Sequence, residues 1–314
     1  MPYYLGIDGG GSKTTCQIGT GDSILATVTA GPSNITRVGE VRAREALHDS
    51  IRRACSVANI HPRQLHCACI GAAGAGREDI AASVRKIAAE IIPGEVEVVG
   101  DMQIALQAAF GAGSGVIVIA GTGSIAYGRN ALGRTVRAGG WGFAISDEGS
   151  AHWIGRAAVS AALHLVDEEI ADDKSVEESE PPPLLSNLKT AWKINSLAEF
   201  VNTANSNPDF AALFPTIVAT AEAGDELAQS VLTQAGRELA RIAGLVVRRL
   251  FAADTPTEIP LAMVGGVFRY SAQVRDIFRD QLRQKYPRVK INPQVVEPVA
   301  GALQMARSHA AART

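Results

Sequence analysis

The sequence predicts an α/β protein built from two halves that share one plan. Short apolar runs of strand length alternate with longer segments of helical periodicity, which is the pattern of sheets covered by helices. The order apolar strand, glycine-rich turn, strand, strand occurs at 3–30 and again at 115–138. The 314 residues are enough for two domains of ordinary size.

The first strand runs into the sequence LGIDGGGSKTT at 5–15. Glycines let a backbone approach a ligand closely, and the N–H groups of such a turn attract anions. We predict that the residues of this turn hold the phosphates of a nucleotide: Gly9, Gly10, Gly11, Ser12, Lys13 and Thr14. A P-loop is excluded because Ser12 separates the glycines from Lys13, and a dinucleotide fingerprint because Thr14 replaces its third glycine. A hairpin turn without a ligand remains the alternative.

The rest of the first half alternates regularly between strands and helices. The predicted elements are a strand at 23–30, a helix at 41–58, a strand at 65–70, a helix at 78–92, a strand at 95–99 and a helix at 102–110. The helix at 41–58 is expected to bury Val41 together with Leu47 and Ile51.

Asp101 stands between the predicted strand at 95–99 and the helix that follows it. Open α/β sheets place their chemistry at the carboxyl ends of strands, which favours a functional carboxylate. A helix N-cap is the alternative role for an aspartate in this position.

The second half opens with a strand at 115–120 and a second glycine-hydroxyl turn, and strands follow at 125–128 and 134–138. The turn residues Gly121, Thr122 and Gly123 are predicted to bind phosphate. The loop GGWGFAISDEGS at 139–150 surrounds Trp141 with glycines, and such a loop is typical of ligand contact. Its carboxylates Asp147 and Glu148 have the alternative role of complementing the dipole of the helix that follows.

The remaining chain is predicted to be mostly helical around one more buried strand. The acidic, proline-ended segment at 167–183 is expected to be a solvated loop. The further elements are helices at 150–166, 196–203, 210–223, 225–251, 272–286 and 297–308, and strands at 259–264 and 289–291. Gly265 and Gly266 allow a base or ribose to approach, or form a plain turn, and Gly301 suggests close helix packing.

Composition excludes several classes of protein. The formal net charge is −2 and no basic run occurs, so neither nucleic acid nor a membrane surface is an expected partner. The four cysteines lie before residue 70 without the spacing of a metal site, which predicts reduced, buried thiols. The N-terminal residues lack the features of an export signal, and a cytoplasmic location is expected.

Five motifs, taken in order, resemble the N-acetylglucosamine kinase group of the BadF/BadG/BcrA/BcrD ATPase family, within the actin-like superfamily. They are DGGGSKT, Gly100-Asp101, AGTGS, GGWG with SDEGSAHWIG, and MVGGVF. The resemblance implies two ribonuclease-H-like (actin-like ATPase) domains with a nucleotide and sugar cleft between them. It places the domains at 1–112 with the final helix at 296–314, and at 113–295, with a hinge at 111–115. It also suggests a homodimer.

The same resemblance implies a sugar kinase that phosphorylates N-acetylglucosamine at its 6-hydroxyl with ATP. Asp101 would be the general base, Asp8 would lie near Mg²⁺, and Gly265 and Gly266 would flank the adenosine. The residues implied in binding the amino sugar are Asn34, Thr122, Gly139, Gly140, Trp141 and Asp147.

Other functions remain open on the sequence. Glucosamine kinases and N-acetylmuramic acid kinases belong to the same group, and an ATP-binding sugar sensor would share the fold. ATPase activators of 2-hydroxyacyl-CoA dehydratases hold an iron–sulfur cluster, which requires cysteines in the second half, and none follows Cys69. A neighbouring glucokinase family carries a cysteine-rich zinc motif that is absent here.

Overall fold

A computed structural model describes residues 2–171, 182–252 and 257–311. Contacts between residues divide the chain into two compact units. The first unit comprises Met1–Ile117, Arg129–Gly133 and Val296–Thr314, and the second comprises Val118–Gly128 and Arg134–Val295. Among the described residues, no helix is both long and apolar enough to cross a bilayer.

The first unit contains a five-stranded sheet in the order β3-β2-β1-β4-β5. Strands β1, β2 and β3 form an antiparallel meander, while β1, β4 and β5 run parallel. The elements of this unit are β1 (Tyr3–Gly9), β2 (Thr14–Gly19), β3 (Ile24–Ala30), α1 (Ile35–Val57), β4 (Leu65–Ala72), α2 (Glu78–Ala89), β5 (Glu95–Gly100), α3 (Asp101–Phe110) and α11 (Pro298–Ala311).

The two faces of this sheet bury different side chains because successive residues of a strand point in opposite directions. In β4, Ala68 and Ile70 join the core formed with α1 and α2. Cys67 and Cys69 face the other way and pack with Ile104 of α3 and with small residues of α11. All four cysteines are buried and free, which confirms the prediction of buried thiols in a reduced state.

Helix α11 approaches its neighbours closely through glycine. A Cβ atom on Gly301 would collide with the carbonyl oxygen of Ile104 and lie 2.6 Å from the backbone nitrogen of Ala108, both in α3. On the sheet side, a Cβ atom on Gly6 would collide with the backbone of Leu303. The predicted close packing at Gly301 is therefore confirmed.

The second unit repeats the same sheet plan in the order β10-β9-β6-β7-β8. If the strands of each unit are numbered in chain order, both sheets have the same order: third, second, first, fourth and fifth. The elements are β6 (Gly115–Ala120), β7 (Ser124–Arg129), β8 (Thr135–Gly139), α4 (Ala151–Ala171), α5 (Pro183–Trp192), α6 (Leu197–Asn205), α7 (Phe214–Glu222), α8 (Glu226–Phe251), β9 (Ile259–Val264), α9 (Gly266–Tyr270), α10 (Ala272–Lys285) and β10 (Val289–Val296). The predicted fold class, α/β with two ribonuclease-H-like sheets, is confirmed.

Several predicted element bounds are wrong. Helix α1 spans Ile35–Val57, but Gly39 interrupts it with a non-helical backbone (φ 79°, ψ 162°), so its long segment starts after Gly39, close to the predicted start at 41. The first turn, capped by Asn34, was not predicted, and Val41 is exposed rather than buried. Helix α4 continues to Ala171, so the predicted acidic loop begins later than residue 167. Residues 172–181 of that segment lie outside the described residues.

The structure also contains helical turns that the sequence prediction lacked. Helix α5 was not predicted, although Leu184, Leu185 and Leu188 have helical spacing and are buried. The predicted helix at 210–223 is a 3₁₀ turn at Phe210–Leu213 followed by α7.

Candidate functional site

The first predicted phosphate turn joins β1 to β2 in the first unit. The backbone nitrogen of Gly10 donates to the carbonyl oxygen of Lys13 at 3.0 Å, which closes the turn. Ser12 and Lys13 are exposed at its tip, and the positive charge of Lys13 partly offsets the increase that burial causes in the pKa of Asp8. The turn therefore presents a cation beside its glycine backbone, as an anion site requires.

Thr14 is arranged differently from the other residues of this turn. It is completely buried, and its hydroxyl donates to the carbonyl oxygen of Gly31 at 2.7 Å. The same hydroxyl forms a hydrogen bond of 2.8 Å with Oγ of Ser33. Because its hydroxyl is hydrogen-bonded to Gly31 and Ser33, the Thr14 side chain stabilises the turn and does not point toward a phosphate.

Two carboxylates lie beside the turn. Asp8 is the penultimate residue of β1, opposite Thr15 of β2 and Gly71 of β4. Burial, and next the negative charge of Asp101, raise the pKa of Asp8 to about 7, with a further contribution from Glu297. The two side chains therefore share one electronegative region of the first unit.

Asp101 is the first residue of α3, directly after β5. The N-cap position belongs to Gly100, whose backbone nitrogen donates to Oε1 of Gln103 at 3.0 Å, so the alternative role of Asp101 as the N-cap is wrong. Oδ1 of Asp101 accepts a hydrogen bond from the backbone nitrogen of Met102 at 2.9 Å. Burial raises the pKa of Asp101, and this hydrogen bond opposes the increase.

The residues present fit a magnesium ion carried by a nucleotide. No group of three or more His, Cys, Asp or Glu side chains in the described part of the chain forms a protein-only metal cage. Magnesium in nucleotide sites takes one or two carboxylates and completes its shell with phosphate oxygens and water. Asp8 fits this role because the negative charges of Asp101 and Glu297 repel its own, and a bound cation would relieve that repulsion.

In metal-free buffer, we expect the free energy of unfolding to fall as the pH rises from about 4 to about 7. The pKa of Asp8 is about 7 in the folded protein against an ordinary value of 3.8, so the folded state holds an extra proton in this window. The slope contributed by Asp8 approaches about 1.4 kcal/mol per pH unit and vanishes above its folded pKa. Urea unfolding across the window measures it.

The Asp8→Asn variant should reduce this slope, because the titrating group is gone. Asp22→Asn, at an exposed position between β2 and β3, is the control and should keep the wild-type slope. Equal slopes in wild type and Asp8→Asn would contradict the role of Asp8.

Asn34 closes the loop between β3 and α1. Its Oδ1 accepts from the backbone nitrogen of Thr36 at 3.1 Å and from the Thr36 hydroxyl at 2.7 Å. The carbonyl end of the side chain is thus fixed by the helix N-terminus. The amide nitrogen is the group that Asn34 can offer to a sugar, as a hydrogen-bond donor.

In the second unit, the turn at Gly121–Gly123 is tied to the segment that begins α4. Its own closure is the hydrogen bond from the backbone nitrogen of Gly121 to the carbonyl oxygen of Gly123, at 3.0 Å. The carbonyl oxygens of Gly121 and Thr122 accept from Ala151 and His152 at 2.8 and 3.4 Å. Oγ of Ser124, directly after the turn, donates to the carbonyl oxygen of Glu148 at 2.8 Å, so the predicted phosphate turn also contacts the loop at 139–150.

Asp147 lies against this turn. Its Oδ1 accepts from the backbone nitrogen of Gly142 at 3.2 Å, and a Cβ atom on Gly123 would lie 2.7 Å from its Oδ2. Asp147 is buried and has a left-handed backbone, with φ of 63°. Burial raises its pKa, the hydrogen bond from Gly142 lowers it, and the charge of Glu148 raises it. A strained, buried carboxylate is typical of a functional position.

Arg137, which the sequence prediction missed, holds the two glycines of the segment Gly139-Gly140-Trp141, the predicted sugar loop. Its Nη1 donates to the carbonyl oxygens of Gly139 and Gly140 at 3.1 and 3.2 Å, and both glycines have positive φ. Its guanidinium carbon lies 4.2 Å from the ring centroid of Trp141, which is 66% exposed. The sequence feature that could have indicated this role is a cationic side chain two residues before Gly139 and Gly140.

The glycine pair after β9 also adjoins the second phosphate turn. Gly265 has φ of 103°, and a Cβ atom there would collide with the carbonyl oxygen of Ala120 and lie 3.2 Å from the backbone nitrogen of Gly121. Gly266 begins α9. The structure thus gathers four predicted groups of the second unit: the Gly121–Gly123 turn, the sugar loop, Asp147 and this glycine pair.

Known proteins resemble this chain over nearly its whole length. The chain matches the BadF/BadG/BcrA/BcrD ATPase family over residues 5–306. The N-acetylmuramic acid/N-acetylglucosamine kinase of Clostridium acetobutylicum is 34% identical over 310 residues, which cover 98% of this chain and 99% of the relative. The N-acetyl-D-glucosamine kinase of Dictyostelium discoideum is 27% identical over 315 residues, covering 96% and 97%.

A crystal structure of a provisionally named N-acetylglucosamine kinase from Chromobacterium violaceum has the same fold. It aligns with a TM-score of 0.75 and 24% identity and covers 98% of this chain and 99% of that one. Since the family match spans nearly the whole sequence, the chain belongs to the BadF/BadG/BcrA/BcrD ATPase family.

Proposed function

We propose that this protein is an ATP-dependent amino-sugar kinase that transfers the γ-phosphoryl group to the 6-hydroxyl of N-acetylglucosamine. The observation that carries the proposal is the pair of carboxylates, Asp8 and Asp101, beside the glycine turn of the first unit. The names of the two kinase relatives support the choice of acceptor.

In the proposed reaction, a carboxylate oxygen of Asp101 accepts the proton of the acceptor hydroxyl. The hydroxyl oxygen then forms a bond to the γ-phosphorus, and ADP departs with the electrons of the broken bond. A pKa raised by burial brings Asp101 closer to the operating pH, which improves a general base. Phosphoryl transfer otherwise asks mainly for positioning and charge neutralisation.

The two glycine turns are assigned to the phosphates of ATP. Gly265 and Gly266 are assigned to its adenosine. Asp8 would hold the magnesium ion, which supplies charge neutralisation at the phosphate oxygens when bound. The amino sugar would be held by hydrogen bonds from Asn34 and Thr122, by the Gly139-Gly140-Trp141 segment, and by Asp147, whose buried carboxylate suits a sugar hydroxyl.

The proposal is tested by measuring ADP release with a panel of acceptors in the presence of Mg²⁺. The panel contains N-acetylglucosamine, glucosamine, N-acetylmannosamine, N-acetylmuramic acid and glucose, with a no-sugar blank for ATP hydrolysis. We expect N-acetylglucosamine to give the highest kcat/KM. ATP binding without release by any sugar would instead favour the sensor, and preference for glucosamine would overturn the assigned acceptor.

A second candidate acceptor is N-acetylmuramic acid, which carries a carboxylate on its 3-O-lactyl group. Arg137 favours it, because a cation stands beside the proposed sugar loop. Within the described residues, its hydrogen bonds go to backbone carbonyls and it has no ion-pair partner. Its charge therefore suits an acidic acceptor.

If Arg137 serves this acceptor, Arg137→Met should lower kcat/KM for N-acetylmuramic acid about tenfold more than for N-acetylglucosamine. One charge-assisted hydrogen bond of about 1.5 kcal/mol accounts for that ratio. Arg137→Lys should recover part of the difference, and Arg134→Met, at an exposed position near β8, should leave the ratio unchanged. An equal loss with both sugars would limit Arg137 to holding the glycine loop.

A further inference from the structure

We propose that Thr14 and Ser33 are positioning residues that couple the phosphate turn of the first unit to the loop that carries Asn34, so that nucleotide and amino sugar bind cooperatively. This inference rests on the proposed function, which assigns phosphate to the turn at 9–14 and sugar to Asn34. It gives Thr14 a role different from a direct phosphate ligand.

The two segments are joined by three hydrogen bonds, of which the one between the Thr14 and Ser33 hydroxyls is buried. The Thr14 hydroxyl contacts the carbonyl oxygen of Gly31 at 2.7 Å and Oγ of Ser33 at 2.8 Å. The backbone nitrogen of Ser33 donates to the carbonyl oxygen of Gly10 at 3.2 Å. Thr14 is 0% exposed and Ser33 is 2% exposed. Because both side chains are buried, water does not readily replace the bond between their hydroxyls, and we expect the two segments to move together.

Packing reinforces the hydrogen bonds. A Cβ atom placed on Gly9 would lie 2.8 Å from Oγ of Ser33. The Ser33 hydroxyl therefore sits directly against the end of β1, where the turn begins. Because no free space separates the turn from Ser33, a displacement of the turn on binding phosphate would also displace Ser33.

The far side of Ser33 is equally constrained. Asn34 follows it directly and is fixed by the cap interactions with Thr36. Pro32 precedes it and restricts the backbone of the same short loop. A movement of Ser33 is thus passed to Asn34, the residue assigned to the sugar, and the reverse holds by thermodynamic linkage.

The test is calorimetric titration of N-acetylglucosamine with and without a non-hydrolysable ATP analogue and Mg²⁺. The coupling ratio is the Kd of the sugar without the analogue divided by its Kd with it. We expect a wild-type ratio of about fivefold or more. The ratio should fall toward one in Ser33→Ala, which leaves the bond from Thr14 to Gly31 intact, and in Thr14→Val. Thr14→Ser keeps the hydroxyl and should retain coupling.

Ser50→Ala is the matched control. Ser50 is also buried in the first unit, and its hydroxyl donates to the carbonyl oxygen of Leu47 within α1 at 2.8 Å, away from the turn. Ser50→Ala should lose thermal stability as Ser33→Ala does but keep the wild-type coupling ratio. If the role of Ser33 were purely structural, the two variants would have the same coupling ratio.

The outcomes separate this inference from the proposed function. If wild type binds both ligands with a ratio of one, or if Ser33→Ala keeps the wild-type ratio, the inference is overturned and the kinase proposal stands. If wild type binds no amino sugar in either condition, the proposed function fails and the coupling inference fails with it.

Discussion

Replacing Asp101 with asparagine is expected to lower kcat by about 10²- to 10⁴-fold, the range contributed by a positioned general base. Asparagine keeps the size of the side chain and its acceptor for the backbone N–H of Met102. It cannot take a proton from the acceptor hydroxyl. Binding of an ATP analogue should therefore be retained, and the thermal unfolding midpoint should not fall, because the variant removes a buried charge that repels Asp8. Steady-state ADP release with N-acetylglucosamine measures the loss.

The chain offers a matched control for this variant. Asp79 also lies in the first turn of a helix of the first unit, α2, but is exposed and pairs with Arg77. Asp79→Asn should retain wild-type kcat. A near-wild-type rate in Asp101→Asn would remove Asp101 from the mechanism, whereas loss of nucleotide binding would show that the carboxylate serves the ATP site.

Replacing Gly301 with alanine is expected to destabilise the first unit by about 2 kcal/mol. Alanine gains about 1 kcal/mol of helix propensity over glycine, but its Cβ atom collides with the backbone of α3. Overpacking of this kind costs about 3 kcal/mol when the obstructing atoms are backbone, since these cannot rotate away. The collision outweighs the propensity. Thermal unfolding measured without ligands reports the difference.

Helix α11 supplies the control for propensity alone. Gln304 lies one turn after Gly301 and is exposed, so Gln304→Ala should change stability by less than about 0.5 kcal/mol. Because α3 begins at Asp101, Gly301→Ala should also lower kcat by displacing that carboxylate. Wild-type stability in Gly301→Ala would contradict the packing between α11 and α3.

The strands and glycine turns were predictable because their signals are local. An apolar run that ends in glycines specifies both a strand and its stop, and this held for β1, β6 and β9. The start of α1 was harder, since Gly39 has a non-helical backbone within it and Val41 faces solvent. The cap at Asn34 starts a first turn that apolar periodicity does not reveal, and Gly39 separates this turn from the long segment that the periodicity predicted.

The contacts that organise the candidate site were not predictable, because each joins residues distant in sequence or depends on backbone strain. In the sequence, Thr14 is indistinguishable from the other polar residues of the predicted phosphate turn. Its buried partners, Gly31 and Ser33, are visible only in the structure. The left-handed backbone of Asp147 has no sequence signature, since residues other than glycine rarely adopt it. The sequence therefore indicates candidate site residues, which stay predictions, whereas the partners that fix their conformations were not predictable.

The return of α11 to the first unit has a consequence for biosynthesis. Nε of Arg307 donates to the carbonyl oxygen of Thr20 at 2.7 Å, a contact between residues 287 positions apart. While the ribosome is still translating the second unit, α11 is missing, and α3 alone can cover the face that carries Cys67 and Cys69. Contacts so distant in sequence close slowly, and a partly uncovered apolar sheet face invites aggregation. We therefore expect the nascent first unit to remain protease-sensitive until α11 has emerged, although its sheet is synthesised first.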